Sequence, residues 1–157
     1  AEQAHTHTIE LVSFDEYKAA YKKSSVAQHM QRDLIDILER KLALPSGKNI
    51  ELWGVRNTEG QIIAGTGILY SPTHLSSARE APFVTKDALH SGVATALMEH
   101  WFTRSQQRGM QLAVSTHFWQ PGEPKRWRGF SQFKSRFGFS YVAYPPLLWR
   151  FVRGKIF

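Results

Sequence analysis

Apolar residues recur at three- and four-residue intervals through Val26, Met30, Leu34, Ile37, Leu38 and Leu42. That period lays one apolar stripe along a helix. Ser24 or Ser25 offers a cap at its start, and Pro45 with Gly47 ends it. Before it, Ile9 to Ser13 is a short apolar-leaning run that suits a strand. Ser13 and Glu16 have the spacing of a capping box, in which hydroxyl and carboxylate each meet orphan amides of the first turn. A helix is therefore expected from Phe14 to about Lys23, with Phe14, Tyr17 and Tyr21 on one face.

Beyond Gly47 the pattern turns strand-like. Ile50–Arg56 and Gln61–Tyr70 flank the turn Asn57-Thr58-Glu59-Gly60, which predicts a hairpin. Gly54, Gly65 and Gly67 lie inside these strands and signal a bulge or a close backbone approach. Ser71–Ser77 is expected as a loop. Arg79–Lys86 is expected as a third strand, which Pro82 places at an edge or a bulge. Ser91 is the expected cap of a helix reaching Arg108. Its apolar face is Val93, Ala94, Leu97, Met98, Trp101 and Phe102, and Gly109 closes it. Met110–Phe118 predicts a strand and Lys125–Arg136 a short helix. Tyr141–Val152 carries one or two final strands interrupted at Pro145-Pro146. The order β-α-α-β-β-β-α-β-α-β is mixed α/β. It is expected as one domain over residues 1–157, with 1–8 as a flexible tail.

Composition narrows the class. Hydrophobic residues make up 42% of the 157 and charged residues 21%, which excludes a wholly disordered chain. No stretch approaches the ~20 apolar residues of a membrane span. Ala1–Glu10 lacks the apolar core of a signal peptide. The absence of cysteine excludes disulfides, thiolate metal sites and a Cys nucleophile. A cytoplasmic location is expected. The seven histidines, His5, His7, His29, His74, His90, His100 and His117, form no metal-ligand pattern. There is no Gly-x-Ser-x-Gly elbow, P-loop or dinucleotide fingerprint.

The net charge of +7 first suggests a polyanionic partner. Its distribution changes that. Residues 1–60 balance at −1, residues 61–120 at +1, and residues 121–157 at +7. The excess therefore lies in the last 37 residues, where eight Lys/Arg meet Glu123 alone. The aromatics Phe118, Trp119 and Trp127 lie among Lys125, Arg126 and Arg128, which suits base stacking and phosphate pairing as well as core aromatics beside solvated cations.

The chemically informative segment is the strand-to-helix junction from Phe83 to Met98. A helix opening at Ser91–Gly92 presents free N–H groups and the positive end of its dipole. Gly92 and Ala94 carry almost no side chain there, so an anion can approach the backbone. A capped helix with small residues in its first turn has the same appearance.

Gly92, Ala94, Leu97 and Met98, with Val84 upstream, follow the pattern of the GNAT acyltransferase superfamily after its fourth strand. Phe130, Phe133, Arg136, Gly138 and Phe139 resemble that family's second signature, and Ala64-Gly65 its preceding hairpin. The resemblance spans about residues 50–142. It implies a GNAT-like mixed sheet flanked by helices. It also implies acyl transfer, in the first place of acetyl, from acyl-CoA to an amine. Acetyl-CoA or another acyl-CoA would meet Val84, Leu89, His90, Ser91, Gly92, Val93, Ala94, Thr95 and Lys134.

Two positions depart from the family. Leu89 stands where the family has Arg or Gln, which removes one side-chain contribution to anion binding. Lys134 stands where many members have a Tyr that protonates the leaving thiolate. Phe133-Lys134-Ser135-Arg136-Phe137-Gly138 is closer to the Fem-type aminoacyltransferases, which share the fold and use aminoacyl-tRNA. Aminoacyl transfer, or a non-catalytic interaction domain of this fold, is therefore the alternative.

For direct amine attack on a thioester, the candidates are His117 as base, Ser115, Glu80 and Tyr141, with Tyr141 or Tyr144 able to donate a proton in place of the missing family Tyr. His117 combines a near-neutral reference pKa with a strand end. A surface histidine would look the same. The expected partners are a small-molecule or peptide amine, with nucleic acid second and no membrane. The assembly is expected to be a monomer or homodimer.

Overall fold

The computed structural model describes residues 7–115, 119–122, 125 and 128–140. The chain divides into two compact units, Ala1–Thr116 and His117–Phe157.

In the first unit the elements are β1 (Thr8–Leu11), α1 (Phe14–Tyr21), α2 (Gln28–Ala43), β2 (Ile50–Arg56), β3 (Ile62–Ser71), β4 (Ser76–Val84), α3 (Val93–Gln107) and β5 (Leu112–Val114). The five strands form one sheet in chain order. β1 to β4 are successively antiparallel, and β5 joins β4 in parallel after the α3 crossover. This is the mixed α/β architecture that the order of elements predicts.

Helices cover both faces. Tyr17, Ala20 and Tyr21 of α1 and Ile35 and Leu38 of α2 bury against Leu52, Ala81 and Phe83 on one face. On the other, Val93 and Leu97 of α3 bury against Val55 and Ala64, with Ala88 from the β4–α3 connection. Each buried Val, Leu, Ile or Phe side chain among these contributes about 1.5–3 kcal/mol of hydrophobic stabilisation, and each alanine less. Trp101 is fully buried, and its indole N–H donates to Ser77 Oγ at 2.9 Å, so its polar edge is satisfied.

The C-terminal half of α3 is tied to the sheet by Glu51. Its carboxylate accepts from Trp53 Nε1 at 3.1 Å and Tyr70 Oη at 3.0 Å, and it pairs with Arg104 and Arg108. His100 of α3 sets its ring 4.2 Å from that of Trp53. Burial lowers the pKa of His100, aided by Arg104.

The capping box at Ser13 forms: Glu16 N–H donates to Ser13 Oγ at 3.3 Å, and Ser13 N–H donates to the Glu16 carboxylate at 3.0 Å. Two other expected caps do not form. α2 starts from Ala27 with no side-chain cap, and Ser24 Oγ accepts from Val26 N–H within the connection. α3 starts from Gly92, while the Ser91 hydroxyl donates back to the Ala88 carbonyl at 2.8 Å. In both places the chain approaching the helix is held by other contacts that turn the serine away.

β4 begins at Ser76, three residues earlier than expected, because the predicted loop contracts to a 3-10 turn at Pro72–His74. β5 covers only the middle of the predicted Met110–Phe118 strand, whose last three residues lie outside the described residues. The predicted Tyr141–Val152 strands also lie outside them.

The second unit contains α4 (Arg128–Arg136), within the predicted Lys125–Arg136 helix. Trp119 N–H donates to Ser131 Oγ at 2.6 Å, and the Arg128 guanidinium stacks 4.2 Å from the Trp119 ring. Phe133 and Phe137 meet edge to face at 5.1 Å. Gly138, at φ +78°, takes the left-handed conformation just past the helix end that glycine adopts readily.

Among the described residues no helix is long and apolar enough to cross a membrane, and no cluster of His, Asp and Glu has the makings of a metal site.

Candidate active site at the open edge of β4

The site follows from an interruption in the sheet. β5 pairs with β4 only at Ser76–Ala78. Arg79–Val84 have β3 on one side and no described strand on the other. The register with β3 also shifts here: Gly65 faces Phe83 and Gly67 faces Glu80. Ala81 and Pro82 thus stand opposite the single residue Thr66, which is a β-bulge. Ala81 adopts φ +39°, the left-handed region that a non-glycine residue enters at some cost.

The bulge reverses the side-chain alternation of β4. Before it, Ser77 and Arg79 face α3. Ser77 bonds Trp101 and Ser105, and Arg79 donates to Met98 Sδ and, at 3.2 Å, to Thr66 Oγ1. After it, Phe83 faces α1, edge-on to Tyr17 and Tyr21 at 5.1 Å from each. Arg79 has no carboxylate partner among the described residues, and burial pulls its pKa down to about 10.

Glu80 sits where the alternation breaks. Lys41 Nζ on α2 donates to both its oxygens, at 2.8 and 2.7 Å. Only 16% of the Glu80 side chain is exposed. A carboxylate has about four acceptor sites, so this pairing leaves lone pairs for another proton donor. The bulge is anchored from behind by Tyr17, whose hydroxyl donates to the Ala81 carbonyl at 2.6 Å.

The open edge leads into the start of α3. A 3-10 turn at Lys86–Ala88 is followed by His90 at φ +73° and Gly92 at φ +81°. The N–H groups of Gly92, Val93 and Ala94 have no hydrogen-bond partner among the described residues. A Cβ on Gly92 would meet nothing within 4 Å, so the helix start faces open space and glycine is needed there for its backbone angle. Ser91, Gly92 and Thr95 are exposed, Ala94 half-buried and Val93 buried. Leu89 is 45% exposed, an apolar side chain where the family resemblance leads one to expect a cation or amide.

Val84 ends the strand. Thr85 N–H donates to Ile63 of β3, so the polar groups of Val84 point away from β3, towards the open edge. There the Val84 carbonyl accepts from Ser25 N–H at 2.8 Å, and Ser24 bridges Thr85. The α1–α2 connection therefore lies along the last residues of the edge.

The structure thus brings Glu80, Val84 and the segment Leu89–Thr95 onto one strand and the turn that follows it. Lys134 lies on α4 of the second unit. His117 and Tyr141 lie outside the described residues. Sequence reasoning missed Tyr17, Lys41 and Ser25 as site-building residues. The available signal was Pro82 opposite a Gly-x-Gly stretch, which marked a bulge without saying what would hold it.

No protein-family model matches the chain, and no curated protein matches it. Solved structures do. Glucosamine-6-phosphate N-acetyltransferase from Arabidopsis thaliana superposes with TM-score 0.62 at 10% identity, covering 92% of this chain and 98% of that one. A GCN5-related N-acetyltransferase from Ralstonia eutropha gives 0.58 at 16% identity, covering 95% and 100%. The chain has the GNAT fold. A predicted acetyltransferase from Clostridium acetobutylicum, crystallised with acetyl-CoA, gives 0.60 at 14% identity over 91% and 96%. At these identities the GNAT likeness is one of fold, and the chemistry has to be argued from this chain's own residues.

Proposed function

We propose that this chain is an N-acyltransferase that moves an acyl group, in the first place acetyl, from acyl-CoA to an amine acceptor by direct attack. One observation carries the reading. Beyond its short pairing with β5, the edge of β4 runs past a held carboxylate, Glu80, and after Val84 and Thr85, where the α1–α2 connection lies along it, the chain turns into a helix start with three unpartnered N–H groups. An extended ligand with a phosphorylated end fits that layout: amide donors and a positive dipole end meet the phosphates, and the strand edge takes the extended part. The acetyl-CoA complex of the Clostridium acetobutylicum structure supports the same donor.

Bound acyl-CoA would supply a thioester carbonyl, to which the amine nitrogen forms a C–N bond as the C–S bond breaks. Glu80 takes the proton that the amine must lose, with Lys41 fixing the carboxylate's orientation. Tyr17 and Ala81 hold the bulge that places Glu80 beside the edge. The start at Gly92, Val93 and Ala94 binds phosphate through the main chain, which makes the loss of a family cation at Leu89 tolerable. The carboxylate of Glu80, present on the described strand, is the base that the geometry favours, with His117 and Tyr141 as further candidates for proton transfer.

Calorimetry with acetyl-CoA, followed by thiol release in the presence of primary amines, tests the reading. Binding that weakens in Gly92→Ile and turnover that needs Glu80 support it. No heat of binding at near-millimolar acetyl-CoA would sink it.

A further inference from the structure

A cavity of about 860 Å³ opens beside the end of β4, between α1, the α1–α2 connection and the start of α2. Tyr21, Ser24 and Ile35 are its buried lining residues, and Lys22, Lys23, Arg32 and Lys86 are exposed around them. None of these four cations has an ion-pair partner among the described residues. A fifth, Lys18, is neutralised by Glu39 at 3.0 Å. Asp36 is the one carboxylate lining the cavity. Four free cations against one carboxylate leave an uncompensated charge of +3 around one concavity.

Lys22 and Lys23 are neighbours in the sequence, and the fold brings Arg32 and Lys86 to the same rim. Like charges held together cost free energy that a bound anion returns. The floor adds a second observation. Tyr21 is 0% exposed, yet its hydroxyl has no hydrogen-bond partner among the described residues. Buried hydroxyls are ordinarily paired. The walls, by contrast, are built to hold shape: Gln31 Nε2 donates to the Val26 carbonyl at 2.7 Å and the Ser24 carbonyl at 3.4 Å, and Ser25 is fixed on Val84.

Position separates this cavity from the helix start. Tyr21 and Ile35 belong to the α1–α2 face of the sheet, whereas Val93 at the head of α3 packs on the opposite face. The α1–α2 connection lies along the strand edge between them. We infer that the cavity receives the phosphate monoester of a small phosphorylated amine, which is the acceptor. A dianion matches the excess charge better than a monocarboxylate does. Lysines and an arginine at the rim supply charge-assisted hydrogen bonds to its oxygens. The inference rests on the transferase reading for the word acceptor, but the binding it asserts does not need catalysis.

The test measures binding in the absence of any thioester. The probes are two amine pairs that differ by one phosphate: ethanolamine with O-phosphoethanolamine, and glucosamine with glucosamine 6-phosphate. Adenosine 3′,5′-bisphosphate serves as the probe for the donor's phosphates. In at least one pair the phosphorylated member binds about tenfold tighter or more, and the gain shrinks with salt. The triple variant K22A/K23A/R32A, confirmed as folded by circular dichroism, loses that preference and keeps its affinity for the bisphosphate within about twofold. Equal affinity within both pairs overturns the inference. So does a triple variant whose loss is confined to the bisphosphate, since the cavity would then serve the donor. Preference for the phosphorylated amine without any acyl transfer from acetyl-CoA leaves the cavity's ligand standing and overturns the transferase reading alone.

Discussion

The hydroxyl of Tyr17 donates to the carbonyl of Ala81 at 2.6 Å, joining α1 to the bulge of β4 across 64 residues of sequence. Tyr17 is fully buried, and its ring also meets Phe83 edge to face, so a single side chain fixes both the bulge and the strand after it. Burial raises the hydroxyl's pKa well above its ordinary value, which keeps the proton on the donor. Tyr17→Phe keeps the ring and leaves the Ala81 carbonyl unpaired. It is expected to lower stability by about 1–3 kcal/mol in urea unfolding. Because the bulge places Glu80, kcat should fall as well; an unchanged kcat would separate the bulge from catalysis.

Glu80→Gln removes the proposed base and preserves the side chain's size. A general base contributes about 10²–10⁴ in rate, so kcat should fall within that range with little change in acetyl-CoA affinity. Single-turnover acyl transfer measures it. Lys41→Met should give a smaller loss, since it frees the carboxylate without removing it. Full activity in Glu80→Gln would move the base to another residue.

Gly65 is required for space. A Cβ there would lie 2.5 Å from Phe83 Cε1 and 2.8 Å from Tyr17 Cε2. Both rings are buried and lean on one another, so neither can retreat cheaply. Gly65→Ala should destabilise by about 1–3 kcal/mol, the range for overpacking. Gly92→Ala, at an open position with φ +81°, should instead show a backbone penalty of about 1–2 kcal/mol without any clash. Thermal unfolding of the two variants distinguishes the causes through the response of the Tyr17 near-ultraviolet signal, which should change for Gly65→Ala alone.

Acid should loosen the junction of α1 and β2. The backbone N–H of Ser13, then Arg56 and the Ser13 hydroxyl, lower the Glu16 pKa from 4.5 to about 2. The folded value lies below the unfolded one, so the stabilisation is fully present above about pH 4.5 and is lost as pH falls towards 2. Stability against pH should drop over that window in the wild type and more shallowly in Glu16→Gln. Parallel curves would remove Glu16 as a source of the acid response.

Tyr21 should behave in the opposite way to Tyr17. Its hydroxyl is buried and unpartnered, and burial pushes its pKa up to about 12. Tyr21→Phe removes a polar group that gains nothing in the free protein. It is expected to leave stability unchanged or raise it by about 1 kcal/mol. A clear loss of stability would show that the hydroxyl has a structural partner.

The sequence by itself determined the element order and the position of the α3 start. Those depend on local patterns: a three-to-four-residue apolar period at Val26–Leu42, alternation in the hairpin, and Gly92 before Val93. It also signalled an irregularity in β4 through Pro82, and a close approach at Gly65. What it could not determine was which residues meet at that irregularity. Lys41 reaches Glu80 across 39 positions and Ser25 reaches Val84 across 59, and neither pair follows from any periodicity. Those contacts depend on the register of β3 with β4, where one extra residue reverses the direction of every side chain that follows. The same holds for the expected caps at Ser24 or Ser25 and at Ser91: their spacing was favourable, but tertiary contacts of the approaching chain turned each aside. The charge shows the difference most clearly. Counted along the chain, the excess positive charge lies at the C-terminal end. In the folded first unit, Lys22, Lys23 and Arg32, with Lys86 from the β4–α3 connection, converge on one cavity, because packing of α1 and α2 against the end of β4 brings them there.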